Sequence, residues 1–365
     1  MDWEIYDLTK AWRIANLLLR QREVLRFIIA NHTSAACPSS SPSLESYYRS
    51  IIPTRGFPKT FMDISLPARA NAIHSILSLD TVCLSIRSAA IGLLIWPEGL
   101  KQFQGTCGMV AVLCVAAQWA PEKFASLFET VFSKRKSFEY RSGWIDLPSD
   151  DWLLPRLQGF IANWNEPKTR GGDDRQKQVL VHFGMARALM ELLSLTGNGG
   201  LYSLATQFSH QFDSLDLTTG DLALESIHIR HLLEDFFGAN VAGVPGVQIT
   251  TGKNDWRGDF KRLMREVNEC FQYEDVCPKP FAVAGVNGFN EAMRSEARID
   301  KPYLPRERLV EGEPRFTHWV IITGEIVLKG GYYVIPVWTY QDRYTLRVHE
   351  SVVDQYFIVA EYGSF

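Results

Sequence analysis

Apolar positions follow a helical period through the first part of the chain and an alternating one at its end. Trp12, Leu17, Leu18, Leu19, Val24, Leu25, Phe27 and Ile28 stand among Arg and Glu residues, which predicts helix within residues 1–31. The run from Cys37 to Ser43, dominated by Ser and Pro, reads as a loop. Leu66, Ala70, Ile73, Ile76 and Leu77 share one helical face, and the helical pattern continues to residue 95, where Pro97 and Gly99 end it. The strongest helical signal covers 107–132, with Met109, Val112, Leu113, Ala116 and Ala117 as its buried face. Pro121 then starts a second helix carrying Phe124, Leu127, Phe128 and Val131, in keeping with proline in a first turn.

Residues 150–165 and 176–195 are further helical candidates, separated by the loop Thr196 to Gly200 from mixed structure that runs to Phe237. Gly and Val dominate 238–252, which predicts a loop with a short strand, and 255–271 reads as helix. The tail changes character. Phe316–Thr323, Tyr332–Tyr340, Tyr344–Val348 and Tyr356–Tyr362 alternate and are rich in β-branched and aromatic residues. Gly330 and Gly331 between two of these runs predict a hairpin turn. Helices followed by antiparallel strands make an α+β fold.

Composition adds bounds. At 365 residues, with 46% hydrophobic and 22% charged residues, the chain can bury a large core. A formal net charge of −3 supplies no basic field, so no nucleic-acid partner is expected. No apolar run reaches the length of a membrane span; the richest, Ala89–Trp96, is a buried helix segment. Acidic and basic residues directly follow Met1, which argues against a secretory leader and for synthesis in a reducing compartment. The six cysteines form no Cys-x-x-Cys pair and no zinc spacing. His228 and His231 stand three apart with no third ligand and read as surface histidines. No metal and no cofactor are expected.

Chemistry concentrates at Gln102-Phe-Gln-Gly-Thr-Cys-Gly108, immediately before an apolar helix. A cysteine nucleophile reacts as thiolate, and the unpaired N–H groups and positive dipole end of a helix N-terminus favour that form. The same groups can hold an oxyanion. Gly105 and Gly108 permit tight turns and close approach, and Gln104 or Gln102 can add a side-chain donor. The base candidate is His318, at the start of the run His318-Trp-Val-Ile-Ile322, where a strand would hold the ring in place. His349, in the tail sheet, is the alternative base. A nucleophilic Cys and a His far apart in sequence and adjacent in space is the expected arrangement.

Gln-Gly-Thr-Cys107-Gly opening an apolar helix, with His318-Trp-Val on a much later strand, resembles the papain-like cysteine peptidase superfamily. The order Cys before His agrees with it. Val334-Ile-Pro-Val-Trp-Thr-Tyr340 is similar to that superfamily's strand after the histidine, where an Asn stands two residues before a Trp; here Pro336 holds that place before Trp338. The superfamily's glutamine stands six residues before the cysteine, where this chain has Lys101. Asp342, Gln341 and Thr339 are the substitutes for the third member, with Asp342 favoured because a carboxylate best stabilises an imidazolium.

The resemblance implies a papain-like α+β fold with a helical part bearing the nucleophile packed on the C-terminal antiparallel sheet. The expected layout is a helical region over 1–95 and a hydrolase domain over 96–365, with a helical insertion at about 140–310. The implied activity is a thiol protease acting on a protein substrate through Cys107, His318, Asp342 and Gln104. A protein glutamine deamidase or transglutaminase using the same site, and an inactive binding scaffold, are the alternatives. The general character also resembles bacterial effectors or toxins, made in the cytoplasm and exported by a specialised system. Oligomeric state is left open.

Overall fold

The computed structural model describes residues 66–100, 107–146, 181–189, 224–248, 256–272, 279–287, 298–302, 318–339 and 342–365, apart from residues 83, 96, 134–136, 142, 183 and 187. The expected helices in 1–31 and 150–165, the loop 37–43 and most of the helix 176–195 lie outside these residues.

Two helices stand where one continuous pattern ran from 65 to 95: α1, Leu66–Leu77, and α2, Leu84–Ile95. The break falls at Ser78, whose hydroxyl donates to the His74 carbonyl at 2.9 Å. Such local side-chain bonds compete with the helical ladder. A 3₁₀ turn over Pro97–Gly99 follows. Then come α3, Cys107–Trp119, and α4, Pro121–Phe132, with proline in the first turn as predicted. Every residue of α3 except Gln118 is buried, so it runs through the core.

A small hairpin follows, made of β1, Ser137–Tyr140, and β2, Gly143–Asp146. Helix α5, Ser226–His231, continues into a π-helical turn over Leu232–Phe236. Next are β3, Asn240–Val244, and the short pair β4, Val247–Gln248, with β5, Trp256–Arg257. Helix α6 spans Phe260–Gln272 and strand β6 spans Pro280–Val286. The tail supplies β7, His318–Ile322; β8, Val327–Lys329; β9, Tyr332–Thr339; β10, Asp342–His349; the short helix α7, Val353–Tyr356; and β11, Phe357–Ser364.

Seven strands form one antiparallel sheet in the order β10-β9-β7-β6-β11-β3, with β8 pairing β9 alongside β7. Gly330 and Gly331 have φ of 59° and 77° and connect Lys329 to its partner Tyr332. Two consecutive positive φ values are what a two-residue hairpin turn matched to strand twist requires. The α+β class read from the sequence is the observed one.

The stretch 140–310 differs from the helical insertion expected of it, because β3 and β6 are strands of the central sheet. Strand β6, Pro-Phe-Ala-Val-Ala-Gly-Val, lies between β7 and β11 with both faces covered. An interior strand reads as an unbroken apolar run, without the alternation that marks a half-exposed one.

The sheet is the middle layer of three. Phe281, Val283, Trp319, Ile321 and Trp338 pack with α1–α4 on one face. Ala282, Ala284, Val320, Ile322, Ile335 and Val337 pack with Phe260, Leu263 and Val267 of α6 on the other. The side-chain period of two sorts each strand cleanly between the layers. No helix among the described residues is long and apolar enough to cross a membrane.

Candidate active site

Cys107 is the first residue of α3, and α3 lies against β7. The contact is close because Gly108 carries no side chain. A Cβ there would stand 3.0 Å from Trp319 Cδ1 and 3.1 Å from Leu224 Cβ. Trp319 is held in turn by its indole N–H, which donates to the Leu224 carbonyl at 2.7 Å. The first turn of α3 is thus clamped between the first strand residues of β7 and the chain leading into α5.

This clamp sets the surroundings of the sulfur. The backbone N–H groups of Trp319, Gly108 and Cys107 all act on Cys107 Sγ and favour the thiolate. Burial acts against them and wins: Cys107 is 7% exposed, and its thiol is pushed up to about 11. The Trp319 N–H belongs to the peptide that joins Trp319 to His318, so the sulfur sits at the backbone of the base candidate.

His318 opens β7 and is 4% exposed. Its Nε2 is 2.7 Å from Oγ1 of Thr339, the last residue of β9. Strands β7 and β9 are in register only at Ile321–Trp338 and Ile322–Val337, so they are unpaired where His318 and Thr339 meet. Burial lowers the imidazole to about 4. At neutral pH Cys107 is therefore a thiol and His318 a neutral imidazole, both shielded from water. They meet β7 from different faces: His318 alternates with Val320 and Ile322 and stands opposite Val286, on the face that α6 covers, whereas Cys107 reaches the strand from the α3 face at Trp319.

The other sequence candidates fall differently. Thr339, one of the two substitutes not favoured for the third member, is the group at the imidazole. Asp342 opens β10 directly opposite Thr339, and its side chain lies outside the described residues, as do Gln341, Gln102 and Gln104. His349 ends β10 opposite Tyr332, at the other end of β9 from Thr339, and its Nδ1 is 2.8 Å from Ser351 Oγ. Those ends are seven residue steps apart along β9, on the order of 20 Å, so His349 is no base for Cys107. His228 is a correction to the surface reading. It is 3% exposed, its Nδ1 accepts the Glu225 N–H at 2.9 Å, and it completes a capping box at the start of α5. His231 Nδ1 is 2.7 Å from Asp235 Oδ2. No group of metal-ligating side chains occurs among the described residues.

Two polar features were not foreseen. Glu361 on β11 is buried and accepts hydrogen bonds from the Ser226 hydroxyl and from Arg230 Nε, the latter at 2.9 Å. Gly243 makes room for this group, since a Cβ there would strike the Arg230 guanidinium. A cleft of about 510 Å³, lined by Lys123, Tyr140, Arg141, Glu234, Asp235 and Asn240, opens beside the start of β3. Asn240 pairs with Ser364 and Ser364 with Pro280, at the end of the sheet remote from His318.

Comparison of the chain with models of protein families, with curated proteins and with solved structures finds no match in any of the three.

Proposed function

We propose that this protein is a papain-like cysteine hydrolase that attacks an amide carbonyl of a protein or peptide. The observation that carries the reading is a cysteine at a helix N-terminus, its sulfur among backbone N–H groups, at the strand that begins with His318. Cys107 Sγ meets the His318–Trp319 peptide from the N-terminus of α3, and the His318 ring is fixed by Thr339.

In this scheme the Cys107 thiol gives its proton to His318 as sulfur bonds to the carbonyl carbon. The carbonyl oxygen takes up negative charge beside the N–H groups at the start of α3. His318 then returns the proton to the leaving amine as the C–N bond breaks, leaving a thioester. Water, deprotonated by His318, cleaves the thioester and restores the thiol. Thr339 is a positioning residue, holding the ring through Nε2. Because sulfur and imidazole are both buried, neutral at rest and on different faces of β7, substrate entry must open this end of the sheet, bring the ring to the sulfur and admit polarity. That raises the imidazole and lowers the thiol toward their ordinary ranges.

The test is alkylation of the intact protein with iodoacetamide, read by mass spectrometry at each cysteine. Cys107 should react faster than Cys114 and Cys270, and His318→Ala should slow it about a hundredfold, within the range for general base assistance. Equal labelling of Cys107 with and without His318 would end the hydrolase reading.

A scaffold without turnover is the second reading, favoured by the closed, neutral state of the pair and by a hydroxyl rather than a carboxylate behind the ring. Deamidation at the same site is distinguished by product: ammonia released from protein glutamine without chain cleavage.

A further inference from the structure

We propose that the open face of β8, β9 and β10 is a docking surface for an acidic segment of another protein, one that carries apolar side chains between its carboxylates. The inference goes beyond the hydrolase reading and is independent of it, since it uses neither Cys107 nor His318.

The register of these strands sorts their side chains. Leu346 and Val348 of β10 pack with Tyr333, Ile335 and Val337 of β9 in the layer of α6, and all five are buried. The alternate positions take the other face. There Arg347 stands opposite Val334, and Val334 opposite Val327; Arg343 stands opposite Trp338, and Lys329 opposite Tyr332. This is the side of the sheet that α3 covers, but the helical layer packs on β7 and ends at Trp338, which is buried. Beyond Trp338 the face is open. Lys329, Arg343, Thr345 and Arg347 are exposed, Val334 and Pro336 are half-buried, and Val327 is 52% exposed.

Charge says what covers it. Lys329, Arg343 and Arg347 project from this face, and Arg298 joins them, its guanidinium 5.3 Å from the centre of the Tyr332 ring. The same face of β8, β9 and β10 holds no acidic residue, although the chain as a whole has a net charge of −3. The cations border an apolar strip: Arg343 and Arg347 on β10, Lys329 on β8, with Val334 and Pro336 of β9 between them. Neighbouring strands lie about 4.8 Å apart, so the two borders are about 10 Å apart, a width that one helix or strand of a partner spans. The strip takes apolar side chains, and its borders take carboxylates, which arginine binds through parallel N–H groups. Nucleic acid fits less well, because unpaired bases need a free aromatic face on which to stack. Tyr332, the aromatic side chain of the strip, has Arg298 over its ring and the His349 ring against it at 5.0 Å.

Fluorescence anisotropy on the full chain tests this. The probes are a short labelled peptide of glutamate and leucine, the same peptide with glutamine for glutamate, the same with serine for leucine, and an oligothymidylate of equal charge. The glutamate–leucine peptide should bind about tenfold more tightly than each of the others, and added salt should weaken it. Reversing two of the cations, Lys329→Glu with Arg347→Glu, should lower its affinity by about tenfold. Both side chains are exposed, so the urea midpoint of that variant should stay near wild type. Equal binding of the glutamine or serine peptide overturns the proposal without need of any variant, as does a glutamate–leucine peptide that fails to bind. Tighter binding of the oligothymidylate makes the face a nucleic-acid site and overturns it as well. So does an affinity unchanged in the folded charge-reversed variant, which puts the peptide elsewhere on the molecule.

Discussion

The Nε2 of His318 and the Oγ1 of Thr339 stand 2.7 Å apart across a gap between two strands that are paired only farther along. Both residues are buried, at 4% and 1% exposure, so the bond is made without competition from water. Thr339→Val keeps the shape and removes the oxygen, leaving a buried ring nitrogen with no hydroxyl at its side. The expected loss is about 1–3 kcal/mol of stability, measured by urea denaturation. Thr339→Ser should recover most of it. If Thr339 positions a working base, Thr339→Val should also slow His318-dependent alkylation of Cys107, and Thr339→Ser should restore it. A hydroxyl with a purely structural role would change the denaturation midpoint alone.

The two site groups also set the pH range of the fold. The Cys107 thiol, ordinarily near 9.0, stays protonated up to about 11 in the folded protein. Above pH 9.0 the unfolded chain therefore binds fewer protons than the folded one, and stability falls as pH rises toward 11. The imidazoles of His318 and His228, ordinarily near 6.5, stay neutral down to about 4. Below pH 6.5 the unfolded chain binds more protons, and stability falls as pH drops toward 4. For His228 burial is the main cause, and the neighbouring His231 adds to it. Stability should be greatest between these limits. The difference in unfolding free energy between wild type and Cys107→Ser should shrink on the alkaline side by about 2–3 kcal/mol, because the folded thiol keeps its proton from pH 9.0 to about 11 while the unfolded one has lost it. Thermal melts across pH read it directly.

Gly108→Ala sets helix propensity against packing. Alanine gains about 1 kcal/mol over glycine inside a helix. The added Cβ would press on Trp319 at 3.0 Å and on Leu224 at 3.1 Å, and overpacking of a closed core costs about 1–3 kcal/mol. A net loss is expected, because Trp319 is tied to the Leu224 carbonyl and cannot easily withdraw. The check is a double-mutant cycle. In a Leu224→Ala background, where space is opened, Gly108→Ala should cost less than in wild type. Strict additivity would mean that the clamp on the first turn of α3 is not what demands glycine.

The parts of the fold that carry a period were legible in the sequence. Helices α3 and α4 were readable from apolar spacing and from Pro121, and strands β7, β9, β10 and β11 from alternation in the tail. Gly330 and Gly331 marked their hairpin because few residues other than glycine accept two successive positive φ values. Strand β6 was not legible, since a strand covered on both faces has no alternation to show. The gap between α1 and α2 was hidden by an apolar pattern that continues across Ser78. At the site, Cys107 and His318 could be singled out by type and context, but the group behind the imidazole could not. Which of Thr339, Gln341 and Asp342 reaches the ring depends on where β9 stops pairing with β7, a matter of register rather than residue type.

Glu361 gives the last prediction. Its carboxyl lies on the interior of the sheet with its side chain 3% exposed, and burial raises its pKa against the Ser226 and Arg230 bonds that lower it. Arg230 is its counter-charge, and that side chain is 37% exposed. Removing one partner of a buried pair costs about 3–5 kcal/mol, because a charge is left uncompensated. Solvent screening at Arg230 brings the expected cost of Arg230→Met down to about 2 kcal/mol. The loss should depend on pH in a particular sense. Without Arg230 the carboxyl rises further, and a group raised on folding keeps its stability at low pH and gives it up as pH climbs. Arg230→Met should therefore approach wild-type stability in mildly acidic buffer and fall behind as pH increases. Adding Glu361→Gln removes the charge that needs a partner, so the double variant should lose that pH dependence and recover part of the deficit. Urea denaturation of the four proteins at two pH values measures the coupling. If Arg230→Met costs the same at both pH values, the pair is a packing contact and not an electrostatic one.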